Sequence, residues 1–289
     1  MKRFAYFFAI LAMLLFACSI PTTALTPVAS VPPAGTQPAT ATVPPAATTA
    51  PTATEPPTAT LTSTATEKPA PQTNATCNET RFYLDPALAS GFNCQSMPEA
   101  ADTSLPPFAV NPAYTEITLQ GYPLADRLMQ PHIDVYPVER YGQLLPDMVP
   151  ADVTALQALL QGGAPGAGLP VLPVQNAAQQ FHAQYKVMAF ASGSGIRFIT
   201  QYAQFADPVN NHDAFYAFQG LSADGKYWIS AMLLISNPAL PADGSTPPSG
   251  QFQDYITAIT SKLDAMPADS FSPAIGVLDG LIASITIQP

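Results

Sequence analysis

The sequence predicts an α+β fold, an antiparallel sheet of hairpins with helices packed on it. Two observations carry this. In the centre of the chain, Tyr185–Ala191 and Ile196–Ala206 flank Ser192-Gly193-Ser194-Gly195, and Phe215–Leu221 and Lys226–Ile235 flank Ser222-Ala223-Asp224-Gly225. Both are apolar, β-branched and aromatic runs joined by turn residues, the signature of hairpins, and Asp224-Gly225 supplies the positive φ that a tight turn needs. After these hairpins come two helical stripes, Phe252, Tyr255, Ile256, Ile259 and Leu263, then Ile275, Leu278, Leu281, Ile282 and Ile285. Hairpins followed by helices, without βαβ alternation, point to an antiparallel sheet covered by helices.

The remaining elements follow from periodicity. Tyr114–Tyr122 alternates as a strand with Ile117 and Leu119 on one side, and His132–Tyr141 does so with Ile133, Val135 and Pro137. A proline in the ladder places the second of these at a sheet edge. Val153, Leu156, Leu159 and Leu160 make Asp152–Gln161 a helix, stopped by the Gly/Pro-rich segment 162–170. A short amphipathic segment opens at Pro173 or Val174 and reaches Phe181, which puts His182 at the end of a helical stripe. Trp228–Ile235 is apolar on both faces, so it is expected to be central and covered. Ser272 is the expected cap of the final helix, with Pro273 in its first turn.

The N-terminus predicts a destination. Lys2 and Arg3 precede an uncharged apolar run, Phe4–Ala17, of signal-peptide length and short of the roughly 20 residues that span a bilayer. The run ends in Leu15-Phe16-Ala17-Cys18, which resembles the lipobox of bacterial lipoproteins, although Phe16 is bulkier than usual there. The resemblance implies removal of residues 1–17 and acylation of Cys18, so the lipid bilayer becomes a partner of the chain. The alternative is an ordinary cleaved signal in which Cys18 is incidental. Two or three acyl chains anchor stably because each buried methylene adds about 0.8 kcal/mol. Residues 18–74 are dominated by Pro, Thr and Ala and hold little that could form a core, so they are expected to be a disordered stalk. A single globular domain is then expected over 75–289.

That domain has seven Lys and Arg against eighteen Asp and Glu, a formal charge of about −11. Such a surface excludes nucleic acid as a natural partner. Cys77 and Cys94 lie 17 residues apart in an exported chain and read as one disulfide, closing a loop worth about 3 kcal/mol. Asn74-Ala75-Thr76 and Asn78-Glu79-Thr80 match the glycosylation sequon, an accidental match in a bacterial lipoprotein. His132, His182 and His212 have no metal-ligand spacing, so neither metal nor other cofactor is expected. Ser194 lies between two glycines, but in a strand–turn–strand context unlike a nucleophile elbow. Asp207–Asp213 holds enough oxygens for calcium, and reads first as a turn. Among the hairpin aromatics, Tyr202 and Tyr216 are the expected exposed pair, able to line a groove for a sugar, peptide or small apolar ligand.

The run Tyr216-Ala217-Phe218-Gln219-Gly220-Leu221-Ser222-Ala223-Asp224-Gly225-Lys226-Tyr227, with a final helix ending in Ser284-Ile285, resembles the PsbP-like α-β-α sandwich of exported lipoproteins over residues 180–289. Such domains are mostly non-catalytic binding or assembly factors. With no catalytic motif in view, the expected function is a membrane-anchored, extracytoplasmic module that binds a protein, glycan or small molecule and is not an enzyme. The alternatives are an extracytoplasmic hydrolase with dispersed acidic residues and an assembly factor of a membrane complex. The anchor is tested by Cys18→Ala: the variant should move from the membrane to the soluble fraction, and continued membrane partitioning would refute lipidation.

Overall fold

The computed structural model describes residues 72–124, 127, 129–245 and 250–288. The expected signal peptide, Cys18 and the expected stalk to residue 71 lie outside them. A seven-stranded sheet carries the fold. Its strands are β3 (Gly91–Met97), β4 (Tyr114–Gln120), β5 (His132–Pro137), β6 (Ala178–Phe190), β7 (Gly193–Ala203), β8 (Phe215–Ser222) and β9 (Tyr227–Leu234). The order across the sheet is β3-β4-β5-β9-β8-β7-β6, every pair antiparallel. Two meanders, β3–β5 and β6–β9, therefore meet along one seam, β5 against β9. A small sheet joins β2 (Thr80–Phe82) to β1 (Ala75–Cys77) on one side and to β10 (Thr286–Ile287) on the other. The fold class is α+β, as expected.

Strand alternation sorts the core into two layers. Ile117, Ile133, Ile229, Ala231, Leu233, Tyr216 and Phe218 point to one face, where they pack with α3 (Phe252–Asp264), α4 (Ile275–Ala283) and the small sheet. Tyr136, Trp228, Ala217, Phe215, Ile196 and Phe198 point to the other, against α1 (Val138–Leu144) and α2 (Val149–Leu160). Helices thus cover both faces, and β8 and β9 carry almost no exposed residue. Cys77 of β1 is bonded to Cys94 of β3, S–S 2.01 Å, which fastens the small sheet to an outer strand of the large one.

Several expectations are corrected. β5 is central, despite Pro137. Val138 N–H donates to Lys226 O, and Leu119 N–H to Pro131 O. By alternation, the odd-numbered backbone groups of β5 face β4, so the donor that Pro137 lacks would point there. The β4–β5 register ends at Thr115 opposite Val135, so no acceptor waits for it. Beyond the proline, residues 138–141 turn into α1 rather than continuing the strand, and Tyr141 is fully buried. The segment reaching Phe181 is not helix: residues 173–177 form no regular element and β6 begins at Ala178, so His182 lies within a strand. Ser272 does not cap α4: its backbone pairs with Ser236, and the helix begins at Ile275 after Ala274.

The first hairpin is also tighter than its glycines suggested. Phe190 pairs with Gly193, so Ala191-Ser192 alone make the turn, and Gly193, Ser194 and Gly195 belong to β7. These glycines make room for rings. A Cβ on Gly195 would lie 2.5 Å from Gln219 O and 2.5 Å from Phe218 Cζ, and one on Gly220 would lie 2.5 Å from Phe218 Cε1. Phe218 and Phe190 pack edge to face over this bare backbone, centroids 5.8 Å apart. Gly195→Ala should therefore cost about 1–3 kcal/mol through backbone displacement, measured by urea unfolding. An unchanged midpoint would show that the strands separate freely there.

Candidate functional site

The β3–β4–β5 half of the sheet differs from the rest on the face that carries α1 and α2. Strand register places one polar row across five strands: Gln95 opposite Glu116, Glu116 opposite Asp134, Asp134 opposite Ser230, and Ser230 opposite Gln219. At the covered end the row is fully bonded. Gln219 Nε2 donates to Ser230 Oγ at 2.9 Å, while Gln219 Oε1 accepts from Trp228 Nε1 at 2.6 Å and from Leu172 N at 3.0 Å. At the other end the row opens into a cleft of about 510 Å³, lined among others by Asn93, Gln95, Glu116, Thr118, Gln120 and Gln130. Among the described residues, amides, a hydroxyl and a carboxylate line it, and none is a cation.

Asp134 lies where the covered and open halves meet. Its residue is 3% exposed. The Tyr136 hydroxyl donates to Oδ2 at 2.8 Å, and Oδ1 has no partner. Burial, aided by the charge of Glu116, pushes this carboxyl up to about 6, and His132 and the Tyr136 hydrogen bond offset only part of that rise. His132 Nδ1 lies 2.7 Å from Gln130 O and must donate to it, because a carbonyl only accepts. The other ring nitrogen, Nε2, stands 3.8 Å from Asp134 Oδ2. It can donate toward the carboxylate only when the ring holds both protons. Glu116, Asp134 and His132 thus form a coupled acid–base group beside the cleft. Among the described residues no set of three or more His, Cys, Asp or Glu side chains is arranged to hold a metal ion.

The residues singled out from sequence are placed elsewhere. Tyr202 and Tyr216 do not share a groove; they occupy opposite faces of the sheet. Tyr216 is fully buried and donates to Asp279 Oδ1 at 2.9 Å. Arg197 Nε approaches the same oxygen at 3.2 Å, and Lys186 Nζ lies 3.4 Å from Oδ2, so the cluster ties α4 to the sheet. Tyr202 is half-buried and stacks on Phe215, centroids 6.1 Å apart. The error has a simple origin: both strands are covered on both faces, so alternation with apolar neighbours could not mark an exposed side. His182 is half-buried, and burial lowers its pKa against the opposing charge of Asp264. In 207–213, Asn210 Oδ1 accepts from His212 N and Asp213 N, while Asn210 Nδ2 and His212 Nδ1 engage the two Asp213 oxygens, so the segment is a turn closed on itself. Both sequon asparagines are also engaged, Asn74 with Leu84 and Asn78 with Ser96 and Thr115.

The acid–base group was missed from sequence. Its signal was present in the alternation of Tyr114, Glu116 and Thr118 against Ile117 and Leu119, and of His132 and Asp134 against Ile133 and Val135. Only the pairing of β4 with β5 reveals that the two polar faces coincide.

An Asp pKa raised in the fold means that the unfolded chain gives up this proton more readily. Stability therefore falls as pH rises from about 4 to about 6 and then levels off. At pH 7.5 the charged Asp134 costs on the order of 2–3 kcal/mol. Asp134→Asn should be more stable than wild type at pH 7.5 by up to that amount, with the advantage gone by pH 4, as read from urea midpoints. A variant less stable at both pH values would make Asp134 a structural requirement instead. No family model matches the chain, and no curated protein or solved structure is significantly similar to it.

Proposed function

We propose that the chain is an exported lipoprotein, anchored through Cys18, whose domain is a binding module for a hydroxyl-rich ligand held in the cleft over β3, β4 and β5. The observation that carries this is the lining of that cleft. Asn93, Gln95, Gln120 and Gln130 each offer an amide that both donates and accepts, Thr118 a hydroxyl, and Glu116 a strong acceptor. A sugar presents hydroxyls that need this mixture. Phosphate or carboxylate ligands would need a cation, and among the described residues the lining holds none. Burying the charge of Asp134 destabilises the fold, and a group retained at such cost is a mark of a working site. An acidic surface and a long Pro/Thr-rich leader suit display outside the cell rather than contact with nucleic acid.

Thr118 lies on the floor and is half-buried, so Thr118→Trp should fill the cleft without touching either core. With detergent-solubilised full chain, binding of β-linked oligosaccharides measured by calorimetry should weaken at least about tenfold in this variant. Equal binding by the two proteins would move the site elsewhere. The acid–base group supports a second reading, a glycoside hydrolase, because a carboxyl raised to about 6 beside a second carboxylate is the pair that such chemistry uses. Release of reducing ends by wild type, lost in Asp134→Asn, would select it.

A further inference from the structure

Resting on the reading of the cleft as a ligand site, we propose that its ligand is a sugar bearing a free primary ammonium, read by the Glu116–Asp134 pair. Three observations lead there. Glu116 and Asp134 are direct cross-strand partners on the same face, so the carboxylate that lines the cleft has a buried carboxylate beside it. Asp134 Oδ1 is buried and accepts no hydrogen bond, which leaves unused acceptor capacity where a native fold normally leaves none. Third, among the described residues the cations are paired elsewhere or lie apart from this pair. Arg140 holds Glu99, Lys186 and Arg197 hold Asp279, Lys226 holds Asp224, and Arg127 donates to Asn211 O. His132 alone can bring charge to Asp134, and its Nδ1 is committed to Gln130 O.

A bound ammonium completes this arrangement. It donates to Glu116 at the open surface and places its charge in the field of the carboxylate beneath, which is screened little because it is buried. A divalent ion meets the charge requirement but not the ligand count, since among the described residues no three His, Cys, Asp or Glu side chains form a metal set. An alkylamine satisfies the carboxylates and leaves the amides of Gln95, Asn93 and Gln130 without partners. A sugar with an unacetylated amine uses both. The groups facing Asp134 are Glu116 and Tyr114 from β4, His132 and Tyr136 from its own strand, and Tyr141 from α1. Of these, Glu116 is the other carboxylate, and the tyrosines stay neutral because burial pushes all three hydroxyls up, that of Tyr114 to about 12. Protonation of Asp134 near pH 6 therefore removes half of the negative charge that the ammonium meets.

The test compares the trisaccharides of β-linked glucosamine and of β-linked N-acetylglucosamine, with trilysine as a non-sugar amine, by calorimetry on the solubilised full chain. The glucosamine trimer should bind about tenfold or more tightly than the acetylated one at pH 6.5, where the sugar amine is largely an ammonium and Asp134 is largely charged, and should weaken both as pH falls to 5 and as it rises to 8.5. Glu116→Gln and Asp134→Asn should each remove the preference. Glu116→Gln alters a half-buried side chain, so it stays informative if Asp134→Asn unfolds. Binding that persists in both variants would assign the amine to the general acidic surface and overturn the proposal. Tighter binding of the acetylated trimer would overturn it while leaving the glycan site standing. Preference for trilysine would replace the sugar by a basic peptide. No binding of any probe would overturn the amine proposal and the glycan reading together.

Discussion

The seam between β5 and β9 is the contact on which the rest of the domain depends. His132–Pro137 pairs with Tyr227–Met232 across about 95 residues of chain, and nothing local brings the two together. Each meander alone has a bare strand edge and an apolar face. Joined, they make one sheet wide enough to carry a helical layer on each side. Closing so long a loop is entropically costly, and the return is the burial of Ile133, Val135, Tyr136, Trp228, Ile229 and Ala231 in one stroke. Pro137 is compatible with this seam because its missing donor points toward β4, where pairing has already ended.

The same seam creates the site. β9 brings Ser230 beside Asp134, and β8 brings Gln219 beside Ser230, so a row that is fully bonded in the covered half runs out into the cleft through an underbonded carboxylate. The transition is set by what lies above it. Helices α1 and α2 bury Trp228 and Gln219, while Gln95 and Glu116 near the edge retain access to solvent. A buried charge beside an open polar surface is an unfavourable element of a fold and a useful element of a binding site. The cost at Asp134, which His132 relieves only in part, and the amide-rich lining are two aspects of one arrangement.

On the opposite face, charge is handled differently. Asp279 of α4 is surrounded by Tyr216, Arg197 and Lys186, and the bulge at Gln184, with φ of +56°, lets its side-chain amide cap the end of α3 by donating to Leu263 O and Met266 O. There both oxygens of Asp279 meet donors, and the outcome is attachment of α4 to the sheet. The contrast between Asp279, satisfied, and Asp134, half satisfied, separates structural from candidate functional acid in a domain of eighteen such groups.

How much of this was legible in the sequence depends on the range of the interaction involved. The hairpins β6–β7 and β8–β9, the helices α2, α3 and α4 and the Cys77–Cys94 pair were readable, because turn chemistry, helical periodicity and the parity of two cysteines are local properties. The covered, central character of β9 was readable too, since a strand apolar on both faces has nowhere else to go. The position of β5, the strand nature of the segment around His182, the burial of Tyr216 and the meeting of Glu116 with Asp134 were not. Each depends on which strand lies beside which, across 18 residues of chain for Glu116 and Asp134 and 100 for His132 and Met232, and no local signal sets those pairings. By itself the sequence determined the class of fold and most of its elements; only the tertiary structure decided which polar residues share a face, because register, not composition, brings two carboxylates together.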